Sequence, residues 1–189
     1  MGKKSRRKNA PTRYWHGGWP GLAVSTVLKG PAELGIVMPN HLIDGDPTDP
    51  TWLYITTDRS LAKGFAAQWR HQSTGPLVTG DLYRVEPIGD ITEDPDYPSG
   101  VGQRCRAARI VAVEQRAVRL TPALQIAFYR HNTWDDGTPM YDAAGHILPC
   151  RAMLEAGVTA DDLRTLGVLP DAMRANALAT RIARVRQGA

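Results

Sequence analysis

The sequence has little cysteine and no long hydrophobic run. Its 189 residues include two cysteines, Cys105 and Cys150, which form no Cys-x-x-Cys pair and cannot build a zinc site by themselves. No stretch approaches the roughly 18 consecutive apolar residues that a membrane-spanning helix needs. The N-terminus is basic but lacks the apolar middle of a secretory signal. We therefore expect an intracellular protein with no membrane association, whose cytosolic setting disfavours a disulfide.

The composition is that of an ordinary folded protein. Hydrophobic residues make up 42% and charged residues 22% of the chain, which argues against wholesale disorder. The 18 glycines and 14 prolines follow no collagen-like repeat. A chain of this length can bury a core without disulfides, so we expect one domain with a short appendage.

Positive charge is concentrated at the two ends of the chain. Lysine and arginine number 23 against 19 acidic residues, for a formal net charge of +4. The first 13 residues contain no acid and six basic side chains: Lys3, Lys4, Arg6, Arg7, Lys8 and Arg13. The last segment carries Arg174, Arg181, Arg184 and Arg186. Such runs contact a polyanion in some proteins and are simply solvated in others, and the sequence leaves both readings open.

Local patterns divide the chain into three parts: a basic flexible arm over 1–12, an α+β core over 13–120 and a helical C-terminal extension over 121–189. In the core we predict strands at 14–16, 52–57, 81–87 and 108–113. We also predict a short helix near 21–28, a helix capped by Asp58 or Ser60, and a long loop over 89–104. Thr121-Pro122 has the form of a helix start and opens the extension.

Three features of the core could carry chemistry. His16 leaves a strand into two glycines and can present its ring at a cleft edge. Tyr54 lies in the middle of a predicted strand and offers a flat face for stacking. The acidic loop over 92–96 could stabilise a developing cation. Taken singly, a histidine, a strand tyrosine or an acidic turn is more often structural than functional.

The order of the sequence blocks adds weight to these residues. Tyr-Trp-His-Gly at 14–17 is followed by Leu-Tyr-Ile-Thr at 53–56 and a predicted helix. Val-Glu-Pro-x-Gly at 85–89 precedes Glu-Asp-Pro-Asp at 93–96, and a cysteine-containing strand runs over 104–113. Over residues 13–120 these blocks resemble the ADP-ribosyltransferase superfamily, and most of all the rifamycin (rifampin) ADP-ribosyltransferase family.

The resemblance implies an ADP-ribosyltransferase-like split β-sheet core that holds NAD+ in a cleft and uses it as co-substrate. It implies that His16 hydrogen-bonds the ribose, that Gly17 offers backbone groups to the carboxamide, and that Tyr54 stacks on the nicotinamide ring. Asp94 matches the acidic catalytic residue, with Asp96 as the fallback if the loop register differs. His16 and Tyr54 complete the catalytic set, and Thr56 is a lesser candidate for the NAD+ pocket. No metal is implied, because nicotinamide departs as a neutral molecule.

The chain departs from the rifamycin-modifying pattern in its basic arm and in the roughly seventy residues beyond the shared core, so the acceptor is open. The first hypothesis is an NAD-dependent mono-ADP-ribosyltransferase that modifies a macromolecule, nucleic acid or protein, in the cytoplasm of a bacterium or a phage-infected host cell. The second is antibiotic resistance by modification of rifamycin. The third is a catalytically inactive module that binds nucleic acid or another partner. An NAD+ glycohydrolase and an RNA 2′-phosphotransferase are further alternatives.

Overall fold

The computed structural model describes residues 12–34, 49–69, 79–186 and 188. Of the predicted arm, only residue 12 falls within these ranges. The described strands are β1 (Tyr14–Gly18), β2 (Val27–Lys29), β3 (Leu53–Thr56), β4 (Asp81–Ile88), β5 (Thr92–Glu93), β6 (Gly102–Cys105) and β7 (Ala107–Gln115). The described helices are α1 (Arg59–Ala67), α2 (Pro122–Tyr129), α3 (Arg151–Glu155), α4 (Ala160–Arg164) and α5 (Ala172–Arg186), and residues Pro31–Leu34 form a 3₁₀ turn.

The strands of the described ranges form one antiparallel sheet in the order β2-β7-β4-β1-β3-β6-β5. Of the described helices, α1 lies between β3 and β4 and the other four follow β7, and every described strand pair is antiparallel rather than part of a parallel βαβ unit. The α+β class expected from the sequence is therefore confirmed.

The centre of the sheet is its least paired junction. β1 pairs with β4 over five residues, but with β3 over one register pair, Trp15 opposite Thr56. On its far side, β3 pairs with β6 over four residues. The sheet therefore consists of two well-paired parts, β2-β7-β4-β1 and β3-β6-β5, that meet at a short contact.

Helix α1 covers one face of the sheet beside this junction. Because strand side chains alternate, Trp15 and Gly17 face α1, whereas His16 faces away from it. A Cβ at Gly17 would lie 1.8 Å from the carbonyl oxygen of Ala62 on α1, so this close approach requires glycine. On the opposite face, Tyr83 and Val85 of β4 belong to the largest cluster of the core, which includes side chains from β2, β3, β6 and β7.

Helix α1 is tied to α2 through its N-cap. Asp58 accepts hydrogen bonds from the backbone N–H groups of Ser60 (2.8 Å) and Leu61, as predicted for the cap. Its other carboxylate oxygen accepts from Arg130 and lies 2.8 Å from Nε2 of His131, just beyond the end of α2. The first helix of the extension therefore packs on the core.

The C-terminal residues have a small core of their own. Trp134, Ile147, Leu163 and Ala175 belong to one buried cluster that joins the 134–148 segment to α3, α4 and α5. Thr159 and Asp162 form a reciprocal capping box at the start of α4. No helix among the described residues has the length and apolar character to cross a membrane.

Two local predictions need correction. The helix expected near 21–28 does not form, because β2 pairs with the distant strand β7 and Ser25 adopts a positive φ of 75°. The loop expected over 89–104 contains β5 and β6, which extend the sheet beyond β3. β2 and β6 each pair with a strand that is remote in sequence, and short strands of two to four residues leave little alternating pattern.

A buried carboxylate fixes the connections around β4. Asp81 is only 2% exposed and accepts four hydrogen bonds, from the backbone of Gly21 (2.7 Å) and Ala117 (2.8 Å), the Tyr83 hydroxyl (3.0 Å) and the Arg116 guanidinium (2.6 Å). Burial alone would raise the pKa of Asp81, but these hydrogen bonds outweigh it and hold the pKa below its ordinary value. Asp81 therefore stabilises the fold as a carboxylate.

We predict that Asp81→Asn lowers the free energy of unfolding at pH 7 by about 2 kcal/mol, since charge-assisted hydrogen bonds are lost. The folded-state pKa lies below the ordinary value of 3.8, so the stabilisation is present above pH 3.8 and is lost as the pH falls through the folded-state pKa. Urea unfolding of both chains across this pH range measures the difference. The exposed Asp90→Asn is the matched control, with a change within about 0.5 kcal/mol. A constant difference between Asp81→Asn and the original chain down to pH 2 would contradict the prediction.

Candidate functional site

His16 bridges the junction between the two parts of the sheet. Its Nδ1 lies 2.9 Å from the backbone oxygen of Tyr54, in the region where β1 and β3 share little pairing of their own. The ring extends over Gly18, where a Cβ would lie 2.6 Å from Nε2. The second glycine of the pair is therefore what leaves room for the imidazole.

The partner of His16 determines the protonation of its ring. A backbone oxygen can only accept, so Nδ1 carries the proton, and in the neutral ring Nε2 is left as an acceptor. Burial lowers the pKa of His16 below its usual value, and the hydrogen bond to Tyr54 opposes only part of this effect. No described residue forms a hydrogen bond with Nε2. At neutral pH the imidazole is therefore neutral, with a lone pair on Nε2 that no residue of the described ranges occupies.

Tyr54 occupies β3 opposite Arg104 of β6. Its ring is partly buried, and its hydroxyl donates a long hydrogen bond of 3.4 Å to the backbone oxygen of Asp49. Burial raises the pKa of the Tyr54 phenol, and the negative charge of Asp94 raises it further. Tyr54 therefore stays protonated and lies within electrostatic range of the acidic loop.

Asp94 follows β5 directly and is only 4% exposed. Its N–H donates to the backbone oxygen of Gly102 (3.1 Å), and its carboxylate accepts from the N–H of Asp96 (3.2 Å). Burial raises the pKa of Asp94, and the hydrogen bond from Asp96 offsets only part of the rise. The structure therefore holds this carboxylate in a fixed, partly desolvated position, whereas Asp96 is exposed.

Sheet register places several of these groups on one face. Tyr54, Arg104 and Thr92 form one cross-strand row of β3, β6 and β5. The next row on this face contains Thr56 and Gly102, and the hydrogen bond from the N–H of Asp94 to the backbone oxygen of Gly102 adds Asp94 to it. Side chains two residues apart share a face, so the Asp94 row and the Tyr54 row lie on the same side of this part of the sheet. His16 does not share this face. Trp15 lies opposite Thr56, on the Tyr54 side, so the alternation of β1 places the His16 ring on the other side, where it contacts the backbone of Tyr54 rather than its ring.

The other two predicted residues have clear structural roles. The Thr56 hydroxyl donates to the backbone oxygen of Val101 (2.8 Å) and accepts from the N–H of Asp58 (2.9 Å), which fixes the turn into α1. Gly17 lies beneath α1, where no side chain fits. The sequence explains neither contact, because both depend on where α1 packs.

Sequence reasoning missed four side chains around these rows. Tyr97 packs over Gly102 and stands 6.5 Å, edge to face, from the ring of His131. Burial raises the pKa of Tyr97 to about 12, and the charges of Asp94 and Asp96 add to the rise. Beyond Arg104, Trp52 packs against the guanidiniums of Arg104 (5.1 Å) and Arg106 (3.8 Å). The alternate arginines at 104 and 106 were the one signal in the sequence for this arrangement.

Trp15, at the junction itself, leaves a polar atom without a partner. Its buried Nε1–H has no hydrogen-bond acceptor among the described residues. An unsatisfied buried donor costs about 1–3 kcal/mol, which a polar ligand or water can recover.

A groove of about 370 Å³ lies elsewhere, between α3 and α5. Its lining includes Met153, Val158 and Ala179, and it contains none of the predicted site residues. Within the described ranges, no three histidine, cysteine, aspartate or glutamate side chains are grouped so that they could hold a metal ion.

The chain was compared with models of known protein families and with curated protein sequences. No family model matches it, and no curated sequence matches it at a significant level.

We predict that His16 remains neutral with its proton on Nδ1, because a carbonyl oxygen faces Nδ1 and burial disfavours the cation. Nitrogen NMR of the ring, assigned by the signal lost in His16→Gln, measures both the tautomer and the titration midpoint. The midpoint should lie below 6.5, the ordinary histidine value. A proton on Nε2, or a midpoint at or above that value, would show that the junction is arranged differently.

Proposed function

We propose that this protein is an NAD-dependent mono-ADP-ribosyltransferase with an ADP-ribosyltransferase-like fold. The observation that carries the proposal is the hydrogen bond between His16 Nδ1 and the Tyr54 backbone, which leaves Nε2 as an acceptor with no partner among the described residues, at the junction of the two sheet parts. It joins two of the residues that the sequence resemblance assigns to NAD+. The third, Asp94, lies within electrostatic range of Tyr54.

In this proposal each residue has a role that its environment supports. His16 Nε2 accepts a hydrogen bond from a ribose hydroxyl, which requires the neutral ring that burial favours. Tyr54 stacks on the nicotinamide ring through its partly buried phenol. Gly17 and Thr56 would act chiefly by shaping the walls, since both are committed to contacts with α1 or its cap.

The reaction breaks the bond between the ribose anomeric carbon and the nicotinamide nitrogen. The bonding electron pair leaves with neutral nicotinamide, positive charge develops on the ribose, and an acceptor nucleophile forms the new bond and loses its proton. A nearby carboxylate favours that charge more strongly in a partly desolvated site than in water. Asp94 is the buried carboxylate of the acidic loop, and its backbone hydrogen bonds hold it in place before the reaction begins.

We propose a macromolecular acceptor, because the chain carries basic segments and a C-terminal helical extension outside the residues that resemble the family. Rifamycin as acceptor, and a module that binds without catalysis, are the competing outcomes. The test incubates the protein and NAD+ separately with cell lysate, purified nucleic acid and rifampin, and measures nicotinamide release and added mass by mass spectrometry. The proposal expects ADP-ribose on a macromolecule. Modification of rifampin alone would establish the second hypothesis, and no consumption of NAD+ in any arm would refute the activity.

We predict that Asp94→Asn lowers the turnover number at least 100-fold and changes the NAD+ dissociation constant less than about twofold, since the carboxylate acts on charge that develops in the transition state. Nicotinamide release and NAD+ titration measure the two quantities. Asp96→Asn is the matched control, because it removes an exposed charge two residues away and should keep most of the activity. Loss of activity in Asp96→Asn with retention in Asp94→Asn would transfer the role to Asp96. Equal losses of binding and turnover in Asp94→Asn would mean that the loop is structural.

A further inference from the structure

Helix α5 presents an unpaired basic stripe to solvent. Arg174, Arg181 and Arg184 are exposed, and none of them forms an ion pair or a side-chain hydrogen bond with a described residue. The fourth arginine of the helix differs, because Arg186 pairs with Asp162 (2.9 Å) and also donates to the backbone of Gly157. Within the described part of the chain, these three guanidiniums therefore have no partner and can meet another molecule.

The three arginines share one side of the helix. At about 100° per residue, Arg181 lies nearly in line with Arg174. Arg184 lies about 80° round from Arg174, where it also lines the edge of the groove between α3 and α5. The stripe is about 15 Å long at 1.5 Å per residue. Ala177 lies on the same side, between Arg174 and Arg181 along the helix. Ala175 and Ala179 mark the opposite side, which is buried in the C-terminal core.

Few negative charges oppose this stripe. Residues 172–186 contain no aspartate or glutamate. Asp171 precedes the helix and accepts from the backbone N–H of Arg174 (2.8 Å), Asp162 is paired with Arg186, and Glu155 is exposed on α3. The outward side of α5 is therefore strongly positive and is bounded by two exposed apolar side chains, Met173 (78%) and Val185 (73%).

We propose that the outward side of α5 docks the phosphate backbone of duplex DNA. Three arginines on one helix, with no ion-pair partner among the described residues, match the chemistry of a row of phosphates, and a helix about 10 Å across fits the roughly 12 Å major groove of B-form DNA. The stripe binds phosphates and so carries no sequence preference of its own. DNA binding by α5 does not depend on the proposed function. Only the further step, in which the docked DNA is also the acceptor of ADP-ribose, rests on that function.

The test measures binding of the full chain to a fluorescent 20-base-pair duplex, without NAD+, across salt concentrations. Arg174→Gln/Arg181→Gln should weaken binding about tenfold or more and reduce the slope of log affinity against log salt by about two, one for each phosphate contact. Glutamine is nearly as good a helix former as arginine, so α5 should persist, which circular dichroism verifies. Arg109→Gln/Arg119→Gln is the matched control, because it removes the same charge from exposed positions outside α5. It should change the slope of log affinity against log salt by much less than the loss of one phosphate contact would.

An unchanged affinity and slope in the α5 variant, or equal losses in the α5 and control variants, would overturn the proposal. So would the absence of DNA binding by the original chain at low salt. Because NAD+ takes no part in this measurement, failure of the proposed transfer reaction leaves the result interpretable. If nucleic acid proves to be the acceptor, the same α5 variant should lose modification of DNA but keep its basal release of nicotinamide.

Discussion

The hydrogen bond from the imidazole of His16 to the backbone of Tyr54 is the contact on which the account of this protein depends. β1 and β3 share a single register pair, so the hydrogen bond from the imidazole connects the two strands where regular backbone pairing is sparse. Gly18 provides the space for the ring, and α1 holds β1 from the other face through the close approach at Gly17. Positions that look like flexible glycines in the sequence are thus among the most constrained in the fold.

Burial and hydrogen bonding favour different protonation states in the titratable side chains of this part of the protein. Burial favours the neutral forms of His16 and Tyr54 and opposes ionisation of Asp94. The opposite applies at Asp81, where four hydrogen bonds outweigh burial and favour the charged form. A carboxylate held with few compensating donors is available to a developing positive charge, whereas one with four donors is committed to the fold. This contrast makes Asp94 the better candidate for chemistry.

Much of the local structure could be predicted because its causes are local. Asp58 caps α1, Thr121 and Pro122 start α2, and Thr159 caps α4, each through contacts within three residues. The strand pairing of 27–29 with β7 and the Asp81 network join residues dozens of positions apart, so no short pattern indicates them. At the candidate site, the residue types of His16, Tyr54 and Asp94 could be selected by resemblance. The neutral tautomer, the burial of Asp94 and the contact of Tyr97 with the loop required the packed structure.

The most direct test of the central claim is a titration of the isotope-labelled chain with NAD+, followed through its backbone amide NMR signals. If the junction binds the dinucleotide, the largest shifts occur in β1, in β3 and in the loop that contains Asp94, and they are much smaller in His16→Gln. Shifts confined to the groove between α3 and α5, or none at millimolar NAD+, would contradict the account.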